Sequence, residues 1–246
     1  MQHFFVEPIP AEPKEIRVFG GDFNHIKNVL RMKKGEKAVL SDECGGVYLC
    51  ALAGFTENEA VFEVMEPARE NELRTPVTLY QGLPKADKLE QIIQKAVELG
   101  AYRIVPVEMK RSVVKSDPKK AEAKTRRRQT IAEAAAKQSG RAVIPQVSEP
   151  VSFAEALADA AGTQIMLPYE SAEGIASLYG FLDSIETGKG ISVFIGPEGG
   201  FDPAEIQEAQ RAGAVIVSLG KRILRTETAA LTALSVLMTK LELLEA

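Results

Sequence analysis

Four consecutive positions, Arg225-Thr-Glu-Thr228, set a cation, an anion and two hydroxyls side by side. Thr226 or a neighbour can cap a following helix, and Glu227 suits a first turn, where negative charge is favoured. Arg225 has no such role, because a cation at a helix N-terminus opposes the dipole. An anionic substrate would supply its missing partner. Upstream, Ile191-Ser-Val-Phe-Ile-Gly-Pro-Glu-Gly-Gly-Phe-Asp-Pro-Ala-Glu205 joins an apolar run to three glycines and then to a strong helix start. Asp202 is the predicted N-cap, Pro203 the first helical residue, and Glu205 completes a capping box. Gly196, Gly199 and Gly200 permit backbone conformations and close ligand approach that side chains forbid. The spacing is neither the dinucleotide fingerprint nor a P-loop. On the residues alone, this is either a ligand loop with accessible N–H groups or a structural turn.

Both segments need a scaffold, and the chain from Val77 supplies alternating strands and helices. Strands are predicted over Val77–Leu83, Arg103–Met109, Val143–Val147, Gln164–Leu167, Ile191–Ile195 and Ala214–Leu219. Helices are predicted over Asp87–Leu99 and Asp117–Ser139, from Ser152, from Asp202, and from about Glu227 to Leu244. Repeated βα units imply a mostly parallel sheet covered on both faces, and ligands bind outside the carboxyl ends of its strands. Both glycine segments lie at such ends. The first third instead reads as β-rich. Ala38–Asp42, Val47–Phe55 and Glu59–Met65 are separated by Glu43-Cys-Gly-Gly and Thr56-Glu-Asn, which are turn chemistry. Asp22 is placed to cap a short helix through Leu30. These elements suggest a small barrel or meander, divided from the α/β region by the proline-bracketed stretch Glu66–Pro76. The expected division is residues 1–70 and 74–246.

The formal charge of −4 conceals a strong asymmetry: between Arg103 and Arg141 lie twelve basic residues and four acids. That segment is either a solvated helix face or the footprint of a polyanion site on an acidic protein. Arg126, Arg127 and Arg128 are its densest point. Cys44 and Cys50, the two cysteines, suggest a reducing compartment and ordinary packing. With His3 and His25 the sole histidines, no zinc-ligand spacing exists, and no metal is expected. No apolar run reaches membrane-spanning length and the N-terminal residues do not read as a secretory signal, so a soluble cytoplasmic protein is expected.

The combination of Ile195-Gly-Pro-Glu-Gly-Gly200 with Leu219-Gly-Lys-Arg-Ile-Leu-Arg-Thr-Glu-Thr-Ala229 resembles the SPOUT methyltransferases. More narrowly, the chain resembles the ribosomal small-subunit methyltransferase E family, which makes N3-methyluridine in 16S rRNA. His25-Ile-Lys-Asn-Val-Leu-Arg-Met32, Gln94-Lys-Ala-Val-Glu-Leu-Gly100 and Ala136-Lys-Gln-Ser-Gly-Arg141 extend the likeness over most of the chain.

The resemblance implies a trefoil-knotted α/β domain after an N-terminal PUA-like β-barrel for RNA recognition, in a homodimer. It implies S-adenosyl-L-methionine held by Leu167 and Pro168, by Gly196, Pro197, Glu198, Gly199 and Gly200, and by Leu219, Gly220, Ile223, Leu224 and Thr226. Uridine N3 must lose a proton as it attacks the methyl group, so a cation near the uracil oxygens would stabilise the developing charge. Arg225 is the candidate for that role, with Glu198 or Glu227 the candidate proton acceptor. His25, Arg31 and Arg141 match family positions and, with Arg126–Arg128, are the expected RNA contacts; the expected partner is the small ribosomal subunit. A related enzyme acting on tRNA or a ribose 2′-oxygen, and a noncatalytic RNA-binding assembly factor, are the competing readings. A nicotinamide-dependent oxidoreductase fits poorly without the fingerprint.

Overall fold

The computed structural model describes residues 1–10, 12–42, 46–68, 71–85, 87–115, 118–170, 172 and 174–246. Cys44 and the Glu43-Cys-Gly turn, residues 69–70 of the predicted linker, and Asp117 lie outside the described residues. The chain forms two compact units, Met1–Glu72 with Ala136–Ile144, and Leu73–Ala135 with Pro145–Ala246.

The first unit is built on β1 (Gln2–Phe5), β2 (Glu15–Phe19), α1 (Gly20–Asn24), β3 (Lys37–Ser41), β4 (Val47–Phe55) and β5 (Glu59–Pro67). Its sheet has the order β1-β3-β4-β5-β2. β3, β4 and β5 form the expected antiparallel meander, while β1 joins β3 in parallel and β2 closes onto β5 antiparallel. Register shifts put an extra residue into β5 at Met65 and into β4 at Ala53; such bulges bend their strands and let the sheet curl over one core. Phe4, Ile16, Val18, Leu40, Leu52 and Phe62 fill that core. β1 and β2 had no counterpart in the sequence reading, because their partners lie far along the chain.

Asp22 does not cap the first helix. α1 begins at Gly20, and Lys137 binds the Asp22 carboxylate at 3.1 Å instead. The helix then widens into a π-helical turn, His25–Val29, and ends with Arg31 at φ +53°, a left-handed conformation uncommon for a side-chain-bearing residue. Cys50 is buried in the core, which pushes its thiol up to about 12 and leaves it inert.

The second unit runs β6 (Val77–Gly82), α2 (Lys88–Glu98), β7 (Arg103–Glu108), α3 (Pro118–Ser139), β8 (Gln146–Val147), β9 (Val151–Ser152) and α4 (Phe153–Asp159). It continues with β10 (Gln164–Pro168), α5 (Ala176–Asp183), β11 (Ile191–Ile195), α6 (Pro203–Arg211), β12 (Val215–Val217) and α7 (Thr226–Glu245). The last turn of α3 belongs to the first unit. The sheet order is β12-β10-β11-β6-β7-β8, with β9 also on β7, and every pairing is parallel. The fold is therefore α/β, a parallel sheet following a curled mixed one.

The predicted strand over Val143–Val147 shrinks to Gln146–Val147, since Pro145 has no N–H to give a ladder. On one face, Tyr80 stacks on Phe194 at 4.4 Å between centroids, with Phe153 edge-on. On α2, Leu89, Ile92, Ile93, Ala96 and Val97 are buried at helical spacing, and α2 packs along α7. From β6 the chain moves outward through β7 to β8, then returns to place β10, β11 and β12 on the other side. The reversal falls between β6 and β11, where Gln81 stands beside Ile195. A crevice at such a switch point is where open parallel sheets bind ligands.

Candidate active site

The carboxyl ends of β10, β11 and β12 open into a cavity of about 410 Å³. That size suits a cofactor. Three segments line it: Pro168–Glu170 after β10, Ile195–Glu198 with Gly200 and Phe201 after β11, and Ser218–Gly220 with Arg222–Thr226 after β12. Lys88 and Ala229 complete the wall from α2 and α7.

The glycine loop is held by tight packing. A Cβ at Gly196 would sit 3.2 Å from the Phe201 ring and from the Gly200 backbone, so any side chain there would press the loop apart by a few tenths of an ångström. Gly200 has φ +66° and Gly220 φ +117°, both in the glycine-favoured region. Beyond the loop, the predicted capping box forms. The Asp202 carboxylate accepts from the Ala204 N–H at 3.0 Å, and Glu205 accepts from the Asp202 N–H at 2.8 Å. Glu205 is 2% exposed and also accepts from the Lys110 N–H at 2.8 Å, fastening the β7 loop to α6.

The second loop ends differently. Arg225 occupies the N-cap position of α7, with no side-chain cap bond. Thr226, expected to cap, is the first helical residue; its hydroxyl donates to Gly196 O at 2.6 Å and accepts from Gln81 Nε2 at 2.9 Å. A buried hydroxyl thus ties α7 to the glycine loop. Lys88 makes a second tie. Its ammonium lies 3.1 Å from Glu227 and 3.4 Å from Glu198, and Glu198 also accepts from the Lys85 N–H at 3.1 Å. Partial burial raises the pKa of both carboxylates, but their own and neighbouring N–H groups together with Lys88 outweigh it and hold both below the ordinary range. Lys88 is correspondingly raised, chiefly through its bond to Glu227. The two candidate proton acceptors are therefore ionised, paired and weak bases. The exposed Arg225 guanidinium forms no hydrogen bond or ion pair among the described residues.

Comparison with known proteins agrees with this architecture. An RNA methyltransferase domain model matches residues 71–238, and an RNA methyltransferase PUA domain model matches residues 20–65. Ribosomal RNA small subunit methyltransferase E of Bacillus subtilis strain 168 is 38% identical over 99% of this chain and 98% of its own length. The chain belongs to the ribosomal RNA small subunit methyltransferase E family. Among solved structures, the family's Neisseria gonorrhoeae member bound to S-adenosyl methionine has a TM-score of 0.81 at 31% identity, covering 97% of each chain. A Legionella pneumophila methyltransferase in complex with the cofactor SAM has a TM-score of 0.81 at 27% identity, covering 96% of each.

In this methyltransferase E chain, most of the residues expected at the cofactor line the one cavity, but two do not. Leu167 is fully buried beneath it in the sheet core. Gly199 turns outward against Arg111, where a Cβ would come within 2.9 Å of the Arg111 Cβ. Glu227 also stands off the wall and reaches it through Lys88. Tyr169, Glu170 and Arg222 lie in loops that the resemblance assigns to the cofactor, whereas sequence reasoning missed Gln81, Lys88 and Ser218. Of these, Lys88 alone carried a usable signal, a cation at a helix start.

The expected RNA contacts are scattered. His25 and Arg31 are exposed at the two ends of the π-helical turn in the first unit. On α3, Arg126 and Arg127 are exposed and pair with Glu122 at 3.6 Å and Glu90 at 2.9 Å. Exposed pairs of this kind hold their partners weakly. Arg128 is half-buried, which lowers its pKa against the pull of Glu90. Arg141, also expected at RNA, is placed differently from these. It is 5% exposed and its guanidinium is engaged by Glu72 within the first unit, because a buried charge needs a partner.

Proposed function

We propose that this protein transfers the methyl group of S-adenosyl-L-methionine to N3 of a uridine in 16S rRNA of the small ribosomal subunit. The observation that carries the reading is the convergence of the two glycine segments and Arg225 on one cavity at the carboxyl ends of β10, β11 and β12. Its wall suits the cofactor's chemistry. Pro168, Ile195, Leu219, Leu224 and Ala229 offer an apolar side for an adenine, while Glu170 and Glu198 offer negative charge for a sulfonium or amino group. Ser218 and the loop backbone offer polar partners for a ribose.

When bound, the cofactor supplies an activated methyl group on a sulfonium, and the protein's part is orientation and charge management. Thr226 and Lys88 keep the glycine loop and the start of α7 together. Arg225 stabilises the charge that develops on the uracil oxygens as N3 gives up its proton to solvent water. Glu198 and Glu227, held as weak bases, anchor Lys88, and Glu198 keeps its negative charge on the cavity wall. Arg126 and Arg127 contact phosphates on this reading, and His25 and Arg31 meet the RNA from the first unit. The resemblance further implies a homodimer, a trefoil-knotted path for the second unit, and a cytoplasmic setting.

The test is transfer from labelled S-adenosylmethionine to small subunits lacking this modification, followed by nucleoside mass spectrometry. N3-methyluridine is the expected product. Label on a ribose oxygen or in tRNA would refute the assignment while retaining the fold.

A further inference from the structure

Lys88 opens α2 and Glu227 lies in the first turn of α7, and the two helices pack together. A lysine at a helix N-terminus opposes the dipole, so its presence needs an offsetting contact. Lys88 has two, at 3.1 Å to Glu227 and 3.4 Å to Glu198. One ammonium therefore joins three segments of the cavity wall: the start of α2, the glycine loop after β11, and the start of α7. Arg225 adjoins that last contact, and its charge also acts on Glu227. All three members of the bridge are partly exposed, and partly exposed ion pairs add little to global stability. The bridge's value then lies in local geometry.

We propose that Lys88 is a positioning residue for methyl transfer: by holding Glu198 and Glu227 together it fixes the glycine loop and Arg225 at a set spacing across the cavity. This rests on the functional reading above. Lys88 acts through the two carboxylates, not on the reacting atoms.

The experiment compares wild type, Lys88→Met and Lys88→Arg for transfer to small subunits, melting temperature, and calorimetric binding of S-adenosylmethionine across a pH series. Lys88→Met should lower kcat roughly a hundredfold, the order that misplacing a reacting group by about 1 Å produces, with KM for RNA and melting temperature little changed. The acid limb of both transfer and cofactor binding should move to higher pH, because the carboxylates lose their ammonium while Arg225 remains. Lys88→Arg should recover most of kcat. In a Glu198→Gln/Glu227→Gln background, Lys88→Met should cost nothing further. Wild-type kcat in Lys88→Met, an unmoved acid limb, or an undiminished loss in the doubly substituted background would each overturn the proposal. A wild-type protein that transfers no methyl group would instead refute the functional reading, and this proposal with it.

Discussion

Helices α6 and α7 both begin directly after a glycine-bearing loop at the cavity, and their first turns are built in opposite ways. At α6, Asp202 and Glu205 satisfy each other's backbone N–H needs, and Glu205 reaches on to Lys110. Nothing is left over for a ligand. At α7 the N-cap is a cation with no cap bond, and the first hydroxyl is spent on Gly196 and Gln81. The contrast teaches that local capping rules are obeyed where a loop is held and broken at Arg225, whose charge the helix itself does not use.

Substitutions can sharpen or break that contrast. Arg225→Ala should have the largest effect, lowering kcat about a hundredfold to a thousandfold, the cost of removing one oxyanion-stabilising donor. Calorimetry should find cofactor affinity nearly unchanged. Equal losses in turnover and affinity would remove Arg225 from the transition state. Glu205→Ala should show the reverse signature, costing about 3 kcal/mol in urea unfolding because two backbone N–H groups lose a charged acceptor. Activity per folded molecule should persist; if it collapses with stability intact, α6 is not merely a holding element.

Thr226→Val tests the buried tie between the two helix-bearing loops. It should cost about 1–2 kcal/mol, since Gly196 O and one Gln81 donor direction lose a partner, and should weaken cofactor binding measurably. Affinity equal to wild type would uncouple the tie from the site. Asp202→Ala should cost about 1 kcal/mol by thermal melting, the ordinary value of an N-cap, with no kinetic consequence.

The smallest effect concerns pH. Glu198 and Glu227 are depressed from an ordinary value of 4.5. Their contribution to stability is therefore complete above that value and is lost as pH falls through the depressed pKa. Melting temperature should register no loss from this bridge between pH 7 and 5, and Lys88→Met should erase the part of the decline below 4.5 that it causes. An identical acid decline in both proteins would mean the bridge is not formed in solution.

How much was legible follows from how local each feature is. The α6 capping box, the helix faces of α2, and the strands β4 and β11 were readable because their signals lie within a dozen residues. β1 was not, because Gln2–Phe5 become a strand only beside Ala38–Ser41. α5 was missed because its N-cap position is Ile175, which has no side chain able to cap. Arg141 matches a family position, but its burial against Glu72, which the sequence places 69 residues away, was not legible.

The sequence by itself determined the parallel α/β grammar, the two glycine loops, and the chemical oddity of Arg225 at a helix start, since these follow from residue type and spacing. Only the tertiary structure decided that Lys88 and Gln81 belong to the site, and that Glu198 and Glu227 are held as paired anions. Periodicity sets which face of a strand or helix is buried, but which loops meet depends on the order in which the strands assemble. Charge pairing over 3 Å is a property of that assembly, and no local pattern encodes it.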